Sequence, residues 1–275
     1  MTIRDLPLND SVTIPQLGFG VFQVDPAETQ KAVETALEVG YRHIDTARIY
    51  GNEEAVGAAL KASGLPSSEV FVTTKLWNSD QGTDATLAAF DASLDRLGLD
   101  VVDLYLIHWP TPERGLFVDT WKTFEKLHAD GRTRAIGVSN FRAQDLQVLA
   151  DQGLTTPSIN QVELHPALTQ VSLREYHAAN GILTEAWSPL AQGEVLDESV
   201  ITGIAAAHDA SPAQVVLAWH LAIGNVVIPK SVTPSRVAEN FAATEVTLTD
   251  AEIEQITSLD RGHRTGPDPS TFNRA

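Results

Sequence analysis

The sequence predicts an α/β fold, a (β/α)8 TIM barrel with an N-terminal β-hairpin closing the bottom. Three observations predict it: short apolar segments alternate with longer amphipathic ones, the alternation repeats eight times, and no low-complexity linker divides the 275 residues. Chains of this length routinely form one α/β barrel. We therefore expect a single domain over residues 1–275. An open, doubly wound parallel sheet is the alternative, but the chain shows no second domain or phosphate-binding turn to accompany it.

Eight apolar segments are predicted to form the strands. They are residues 17–20, 41–45, 70–75, 101–108, 133–140, 158–165, 182–187 and 225–231. The segments between them carry apolar residues at helical spacing, for example Leu87, Phe90 and Leu94, which predicts helices with one buried face. Because strands connected by helices lie parallel, eight such units favour a closed barrel.

Helix boundaries are marked by capping residues. Ser211 and Thr233 each precede a proline, an arrangement typical of a helix start, and Thr249 with Glu252 fits a capping box. Glycines follow the expected helix ends at Gly40, Gly64, Gly98, Gly131 and Gly181.

Residues 6–14 do not belong to the repeat. They alternate in polarity around Asn9-Asp10, which predicts a β-hairpin. In a barrel, such a hairpin can cover the bottom, where the core would otherwise meet water.

The charge balance excludes several classes of partner. The chain has 19 basic and 36 acidic side chains, a formal net charge of −17. Nucleic acid and anionic membrane surfaces both require a basic footprint, so we expect neither as a partner. No apolar run approaches the roughly 20 residues that span a membrane. The absence of cysteine excludes disulfides and thiol nucleophiles, and the N-terminus does not resemble a secretory signal, so we expect a cytoplasmic protein.

Polar residues at the ends of the predicted strands are the candidates for chemistry, because barrel active sites lie at the carboxyl ends of the strands. Asp45, Lys75 and His108 end the second, third and fourth strands, and Tyr50 follows the second. A buried lysine and aspartate are expected to pair. The lysine ammonium would lower the pKa of the nearby Tyr50 phenol by about 1–3 units, which would make Tyr50 a usable general acid. His108 would form a hydrogen bond with the substrate oxygen.

Each of these residues also has an ordinary structural explanation, and a metal-dependent hydrolase is a rival chemistry. His43, Asp45, His108 and His165 lie in or at the ends of strands, where such hydrolases carry ligands. The chain has no H-x-H pair, and Lys75 would oppose a cation beside Asp45. We therefore predict no metal site.

Residues 230–240 predict an anion site. Lys230 and Arg236 flank a helix start in an acidic chain, and Ser231 adds a hydroxyl, a combination suited to a phosphate. A capped surface helix is the alternative. Gly18 and Gly20 lack the third glycine of a dinucleotide fingerprint and favour close strand packing instead.

Six motifs together resemble the aldo-keto reductase family. They are GYRHIDTARIYGNE (40–53), VTTKLWN (72–78), DLYLIHWP (103–110), IGVSNF (136–141), NQVELHP (160–166) and VVIPKS (226–231). The resemblance runs from about Ile14 to Thr257. The compact length and the WSPLAQG segment are most similar to the small bacterial 2,5-diketo-D-gluconate reductase type. The resemblance implies a barrel that reduces a small carbonyl substrate with NADPH, without a Rossmann motif, and we expect a monomer.

The resemblance also implies roles for individual residues. Asp45, Tyr50, Lys75 and His108 would form the catalytic tetrad, with Tyr50 protonating the carbonyl oxygen. The implied cofactor-binding residues are Ser139, Asn140 and Gln161 at the carboxamide, Trp187 on the nicotinamide ring, Leu190, Gln192 and Gly193 near the pyrophosphate, Lys230, Ser231, Val232 and Arg236 at the 2′-phosphate, and Glu239 and Asn240 near adenine. The implied substrate-binding residues are Phe22, Trp77, His108 and Trp109.

Three points stay open in the sequence. The segment after Trp109 and the tail after Leu259 are short, which predicts an open substrate pocket. Arg48 has two interpretations: it attracts acidic substrates, or it pairs with a surface aspartate. A barrel that binds NADPH for a regulatory or structural purpose is the alternative to an enzyme, because fold does not determine function.

Overall fold

A computed structural model describes residues 3–9 and 12–275 as a barrel preceded by a hairpin. The hairpin strands are β1 (Asp5–Pro7) and β2 (Thr13–Pro15). The barrel strands are β3 (Phe19–Gly20), β4 (His43–Asp45), β5 (Phe71–Leu76), β6 (Val102–Ile107), β7 (Thr133–Ser139), β8 (Ile159–Glu163), β9 (Leu183–Trp187) and β10 (Val226–Val227). Each predicted strand is therefore present, although all except β5 are shorter than expected, the last one most of all.

The eight barrel strands are parallel and neighbour each other in chain order from β3 to β10. A parallel bridge between Leu17 and Val227 joins the first strand region to the last. The backbone N–H of Gly18 donates to the Val227 carbonyl at 2.9 Å, and that of Gly20 donates to the Pro229 carbonyl at 3.1 Å. The sheet closes on itself, which confirms the predicted (β/α)8 fold.

Ten α-helices lie in the part of the chain that the structure describes, two more than one per strand. They are α1 (Pro26–Val39), α2 (Glu53–Ser63), α3 (Thr83–Leu97), α4 (Phe117–Ala129), α5 (Ala143–Asp151), α6 (Val171–Ala179), α7 (Ser199–Ala207), α8 (Pro212–Ala222), α9 (Pro234–Phe241) and α10 (Asp250–Thr257). The additional helices are α7, in the long connection from β9 to β10, and α10, after the last strand. The expectation of one helix for each strand is wrong because α7 and α8 share one connection and α9 is followed by α10.

The predicted caps at the helix starts are mostly confirmed. Ser211 accepts a hydrogen bond from the Gln214 amide at 3.3 Å and begins α8, and Thr249 forms a capping box with Glu252 at the start of α10. Thr233 precedes α9 as expected, but its side chain makes no capping hydrogen bond. The first amides of α9 are consequently not capped by this residue.

The hairpin lies under the barrel, as predicted. Leu6 is opposite Ile14 in the antiparallel pair. Leu6, Leu8 and Ile14 are buried in one apolar cluster with side chains of five barrel strands, Phe71, Leu104, Leu106, Ala135, Ile159 and Val226. This contact excludes water from the barrel bottom. Asn9 lies in the turn, whereas Asp10 lies outside the described residues.

Polar side chains fill the barrel interior above this apolar layer. Because successive strand residues face opposite sides, residues two apart share the interior face. The buried polar side chains there include His43 and Asp45 on β4, Thr73 and Lys75 on β5, Gln161 on β8 and Glu185 on β9. No helix in the described ranges is long and apolar enough to cross a membrane.

Candidate active site

Lys75 and Asp45 form a buried ion pair at the carboxyl ends of two adjacent strands. Nζ of Lys75 lies 2.6 Å from Oδ1 of Asp45, and the two side chains are 0% and 2% exposed. The same ammonium donates to the Thr46 carbonyl at 2.9 Å and to the Tyr50 hydroxyl at 3.4 Å. Tyr50 reaches it from a 3-10 turn, Arg48–Tyr50, that directly follows β4. The three residues expected to meet here are thus in contact.

The electrostatics of this group differ from the expectation in one respect. Burial opposes the ammonium of Lys75, but Asp45 and the Tyr50 phenol raise its pKa above the ordinary value, so Lys75 stays charged. Burial raises the pKa of Tyr50 to about 12, and Lys75 offsets this only in part. The predicted net lowering of the Tyr50 pKa is therefore wrong, because the desolvation of the phenol outweighs the nearby charge. Tyr50 keeps its proton throughout the neutral range.

His108 completes the group from the end of β6. Its ring lies edge-on to Tyr50, with the centroids 5.7 Å apart, and 5.2 Å from Trp77. Burial and the charge of Lys75 lower the pKa of His108 well below its ordinary value. The imidazole is therefore neutral at pH 7 and has one N–H to donate. Its Nδ1 is buried without a hydrogen-bond partner among the described residues.

A set of amide and hydroxyl groups lies beside His108, at the ends of β7, β8 and β9. Asn140 Nδ2 donates to the His108 carbonyl and to Ser139 Oγ, both at 3.0 Å. Trp187 Nε1 donates to Asn140 Oδ1 at 2.9 Å, and Ser139 Oγ donates to the Gln161 carbonyl at 2.8 Å. Asn140 has a φ of +63°, which few residue types adopt as readily as asparagine. The three residues predicted at the carboxamide and the tryptophan predicted on the nicotinamide ring are thus adjacent.

Gln161 joins this set to the ion pair. Its Nε2 donates to Asp45 Oδ2 at 2.8 Å and to Glu185 Oε2 at 3.0 Å. Glu185 was not predicted from the sequence. Its position two residues before Trp187 could have indicated a place in the site, because residues two apart in a strand lie on one face, here of β9.

The residues predicted to bind phosphate fit an anionic group. Lys230 and Arg236 are exposed, and within the described ranges neither makes an ion pair with an acidic residue. Ser231 Oγ accepts from the Thr233 amide at 3.1 Å, which shapes the turn into α9. With two unpaired cations beside uncapped helix amides, this corner can hold a phosphate.

Three further residues of the predicted cofactor site lie at the same end of the fold. Val232 is 45% exposed in the turn before α9. Glu239 is half-buried and Asn240 is buried, both on α9.

The loop after β9 has an unusual backbone. Ser188, Ala191 and Gln192 have φ values of +47°, +48° and +55°, and Gly193 follows with +100°. Residues other than glycine adopt this left-handed backbone conformation only at a cost in free energy, and they are concentrated at functional sites. Successive backbone amides in such a loop can face a bound anion. This loop contains Leu190, Gln192 and Gly193, the residues predicted near a pyrophosphate.

The candidate metal ligands do not assemble. Among residues 3–9 and 12–275, no three or more histidine, aspartate or glutamate side chains are arranged to hold a metal ion. His43, Asp45, His108 and His165 therefore supply no ligand set for the hydrolase alternative.

Comparison with known proteins identifies the group of enzymes that shares this arrangement. A profile described as the aldo/keto reductase family matches residues 16–261. The chain belongs to the aldo/keto reductase family. It is 56% identical to an aldo-keto reductase of Mycobacterium sp. strain KMS, over 97% of this chain and 96% of the relative. It is 50% identical to methylglyoxal reductase DkgA of Yersinia pestis, over 99% of both chains.

Solved structures agree with this assignment. A mutant of Gox0644 in complex with NADPH superposes with a TM-score of 0.94 at 44% identity, covering 99% of both chains. The predicted family, the predicted fold and the prediction of an oxidoreductase enzyme are thereby confirmed.

The residues predicted to bind the substrate of this aldo-keto reductase include three aromatic side chains. Phe22 is 51% exposed, and its ring lies 5.0 Å from that of Tyr50. Trp77 and Trp109 are buried beside the strand ends. The tail adds Phe272, whose ring lies 4.4 Å from Trp109 and 6.5 Å from Trp77. The short tail is therefore long enough to reach both tryptophans, and the openness of the substrate pocket stays a prediction.

Glu163 attaches the tail to the barrel. Its carboxylate accepts hydrogen bonds from the Thr265 amide at 2.5 Å, the Thr265 hydroxyl at 2.8 Å and the Gly266 amide at 3.2 Å. A Cβ at Gly266 would overlap the Trp187 ring, so only glycine allows the tail to pass this close. The tail thus contacts Trp187, the predicted cofactor-stacking residue, as well as Trp77 and Trp109, which are predicted to bind the substrate.

Arg48 pairs with an aspartate, the second of its two interpretations. Nε of Arg48 lies 2.7 Å from Oδ2 of Asp80. Asp80 follows Trp77 in the loop after β5, so this ion pair links the turn that carries Tyr50 to the loop that carries Trp77. The charge of Arg48 is therefore already balanced within the protein.

Proposed function

We propose that this aldo-keto reductase reduces a small aldehyde or ketone to an alcohol with NADPH, and that Tyr50 is the general acid. The contact that carries the proposal is the one between the Lys75 ammonium and the Tyr50 hydroxyl, 3.4 Å apart in a buried group with Asp45. A phenol held beside a fixed positive charge and facing a neutral imidazole suits proton donation to a carbonyl oxygen.

Four side chains take part in the proposed proton transfer. NADPH, when bound, supplies the hydride that reaches the carbonyl carbon. Tyr50 donates its proton to the carbonyl oxygen, and Lys75 stabilises the negative charge that develops on the phenol oxygen. Asp45 keeps Lys75 charged and in place. The neutral His108 donates a hydrogen bond that orients the carbonyl oxygen.

The same proposal assigns the cofactor-binding residues. Ser139, Asn140 and Gln161 bind the carboxamide, and Trp187 lies against the nicotinamide ring. Because Gln161 already gives two N–H bonds to Asp45 and Glu185, its free oxygen is the group that accepts from the carboxamide. The loop containing Leu190, Gln192 and Gly193 binds the pyrophosphate, and Lys230, Ser231, Val232, Arg236, Glu239 and Asn240 bind the adenosine 2′-phosphate end.

For the substrate class, we propose uncharged α-dicarbonyl compounds ahead of keto-sugar acids. The relative DkgA is named as a methylglyoxal reductase, which supports small dicarbonyls. Arg48 is paired with Asp80, so its charge is not free to bind a substrate carboxylate. NADPH oxidation measured with simple aldehydes, α-diketones and keto-sugar acids tests this order. Preferred turnover of the keto-sugar acids would reverse it.

We also propose that the chain acts as a cytoplasmic monomer, folded as one domain and without a nucleic acid partner. The predominantly acidic charge, 36 acidic against 19 basic side chains, supports the absence of nucleic acid binding. Light scattering of the purified chain tests the monomer, and one cooperative unfolding transition tests the single domain. Cell fractionation tests the location.

A further inference from the structure

Glu185 is a second carboxyl group inside the barrel, beneath the proposed catalytic group. It is fully buried on β9. Its Oε2 accepts from Gln161 Nε2 at 3.0 Å, whereas its Oε1 has no hydrogen-bond partner among the described residues. Oε1 lies 3.8 Å from Nε2 of His43. Burial of a carboxyl group costs free energy when one of its oxygens lacks a hydrogen bond, and such groups are rare in folded proteins.

The charges around Glu185 leave it without a counter-ion. Among residues 3–9 and 12–275, Lys75 is the single cation in this part of the interior, and it is paired with Asp45 at 2.6 Å. His43 faces Glu185 from β4, but burial lowers the pKa of His43 to about 3, so the ring is neutral. The other neighbours that face it are the uncharged Gln161 and, further away, the Tyr50 phenol. A second carboxylate here would be unbalanced.

Glu185 therefore binds its proton tightly. Burial, reinforced by the negative charge of Asp45, raises the pKa of Glu185 to about 8. Below that pH the carboxyl is neutral, and above it the interior gains one uncompensated negative charge. This charge also raises the pKa of Tyr50, since Glu185 and the phenol are close enough to interact.

The side-chain amide of Gln161 connects Glu185 to the proposed catalytic group. Gln161 donates one N–H to Asp45 Oδ2 and the other to Glu185 Oε2. We propose that Glu185 is a positioning residue of this enzyme: the neutral carboxyl anchors Gln161 and through it Asp45, and its ionisation opposes the negative charge that develops on Tyr50. This inference rests on the proposed role of Tyr50 as general acid. Reduction should consequently slow as pH rises through about 8, by about tenfold, because a like charge disfavours the phenolate.

The test combines a titration of the protein alone with a pH profile. In infrared spectra without cofactor, the carbonyl stretch of a protonated carboxyl should disappear in wild type with a midpoint near pH 8. Glu185→Gln, whose amide oxygen can accept the same bond from Gln161, should lack that band. Its kcat should stay flat from pH 7 to 9, where that of wild type falls. The matched control is Asp103→Asn, a buried carboxyl on β6 that accepts hydrogen bonds from Arg134 and from the Val72 amide. This variant should keep the wild-type midpoint and profile.

The outcomes separate this inference from the proposed function. Absence of a protonated carboxyl above pH 7 in wild type overturns the inference even if Glu185→Gln does not fold. The same holds if the variant folds and keeps the wild-type pH profile. If no carbonyl compound is reduced by wild type, the proposed function fails, while the infrared titration still reports the charge of Glu185.

Discussion

Nζ of Lys75 lies 3.4 Å from the hydroxyl oxygen of Tyr50, which places a fixed positive charge against a protonated phenol. The phenol has a pKa of about 12 because it is buried, and the ammonium partly offsets that effect. A weak acid of this kind does not lose its proton to water at pH 7. Lys75 can stabilise the phenolate while the proton moves to a carbonyl oxygen.

Removing the phenol should remove most of the turnover. For Tyr50→Phe we expect kcat to fall by roughly 10²–10⁴-fold, since a positioned general acid contributes about that factor. The dissociation constant for NADPH, measured by quenching of tryptophan fluorescence, should stay close to that of wild type. Reduction at near wild-type rates by a folded variant would show that Tyr50 is not the acid.

Breaking the buried ion pair should cost stability as well as activity. Lys75→Met leaves Asp45 as an unpaired buried carboxylate, and we expect the free energy of unfolding to fall by about 3–5 kcal/mol. The double variant Lys75→Met with Asp45→Asn should recover much of that stability but none of the activity. Denaturant titrations measure the stability, and recovered turnover in the double variant would contradict the role given to Lys75.

The two exposed cations should determine the preference for NADPH. For Lys230→Ala and Arg236→Ala we expect a loss of NADPH affinity of roughly 10- to 100-fold, because a hydrogen bond to a charged phosphate is lost. The affinity for NADH should change little. The wild-type affinity should fall with added salt, because salt screens the attraction between these exposed cations and the phosphate. Lys61→Ala, an exposed lysine on α2, serves as control, and an equal loss for both cofactors would refute the phosphate site.

The tail should contribute to substrate recognition through Phe272. For Phe272→Ala we expect KM for aromatic aldehydes to rise by roughly 2- to 10-fold, because the ring that packs on Trp109 is lost. The KM for methylglyoxal should change less, since a smaller substrate makes fewer aromatic contacts. Asn273→Ala, the next tail residue, is the matched control. Unchanged KM values for all aldehydes would show that Phe272 only covers Trp109.

Local patterns in the sequence were sufficient to predict the strands and most helix ends. Alternation and helical spacing depend on residues a few positions apart, so the strand that ends at Asp45 and the capping box of Thr249 could be identified directly. The pairing of Asp45 with Lys75 was also predictable, because neighbouring parallel strands end at the same edge. The additional helix α7 was missed, since a long connection gives no local signal for how it is divided.

The order of the eight units, the family and the strand ends at which the proposed chemistry lies follow from the amino-acid sequence alone. The pKa of Tyr50 follows from the folded chain, because burial depends on everything packed around the phenol. The folded chain also decides the partner of Arg48, the contact of Phe272 with Trp109 and the place of Glu185 beside Gln161. Each of these contacts joins residues of separate loops or strands, and their distances follow from barrel closure and the path of the tail rather than from spacing along the chain.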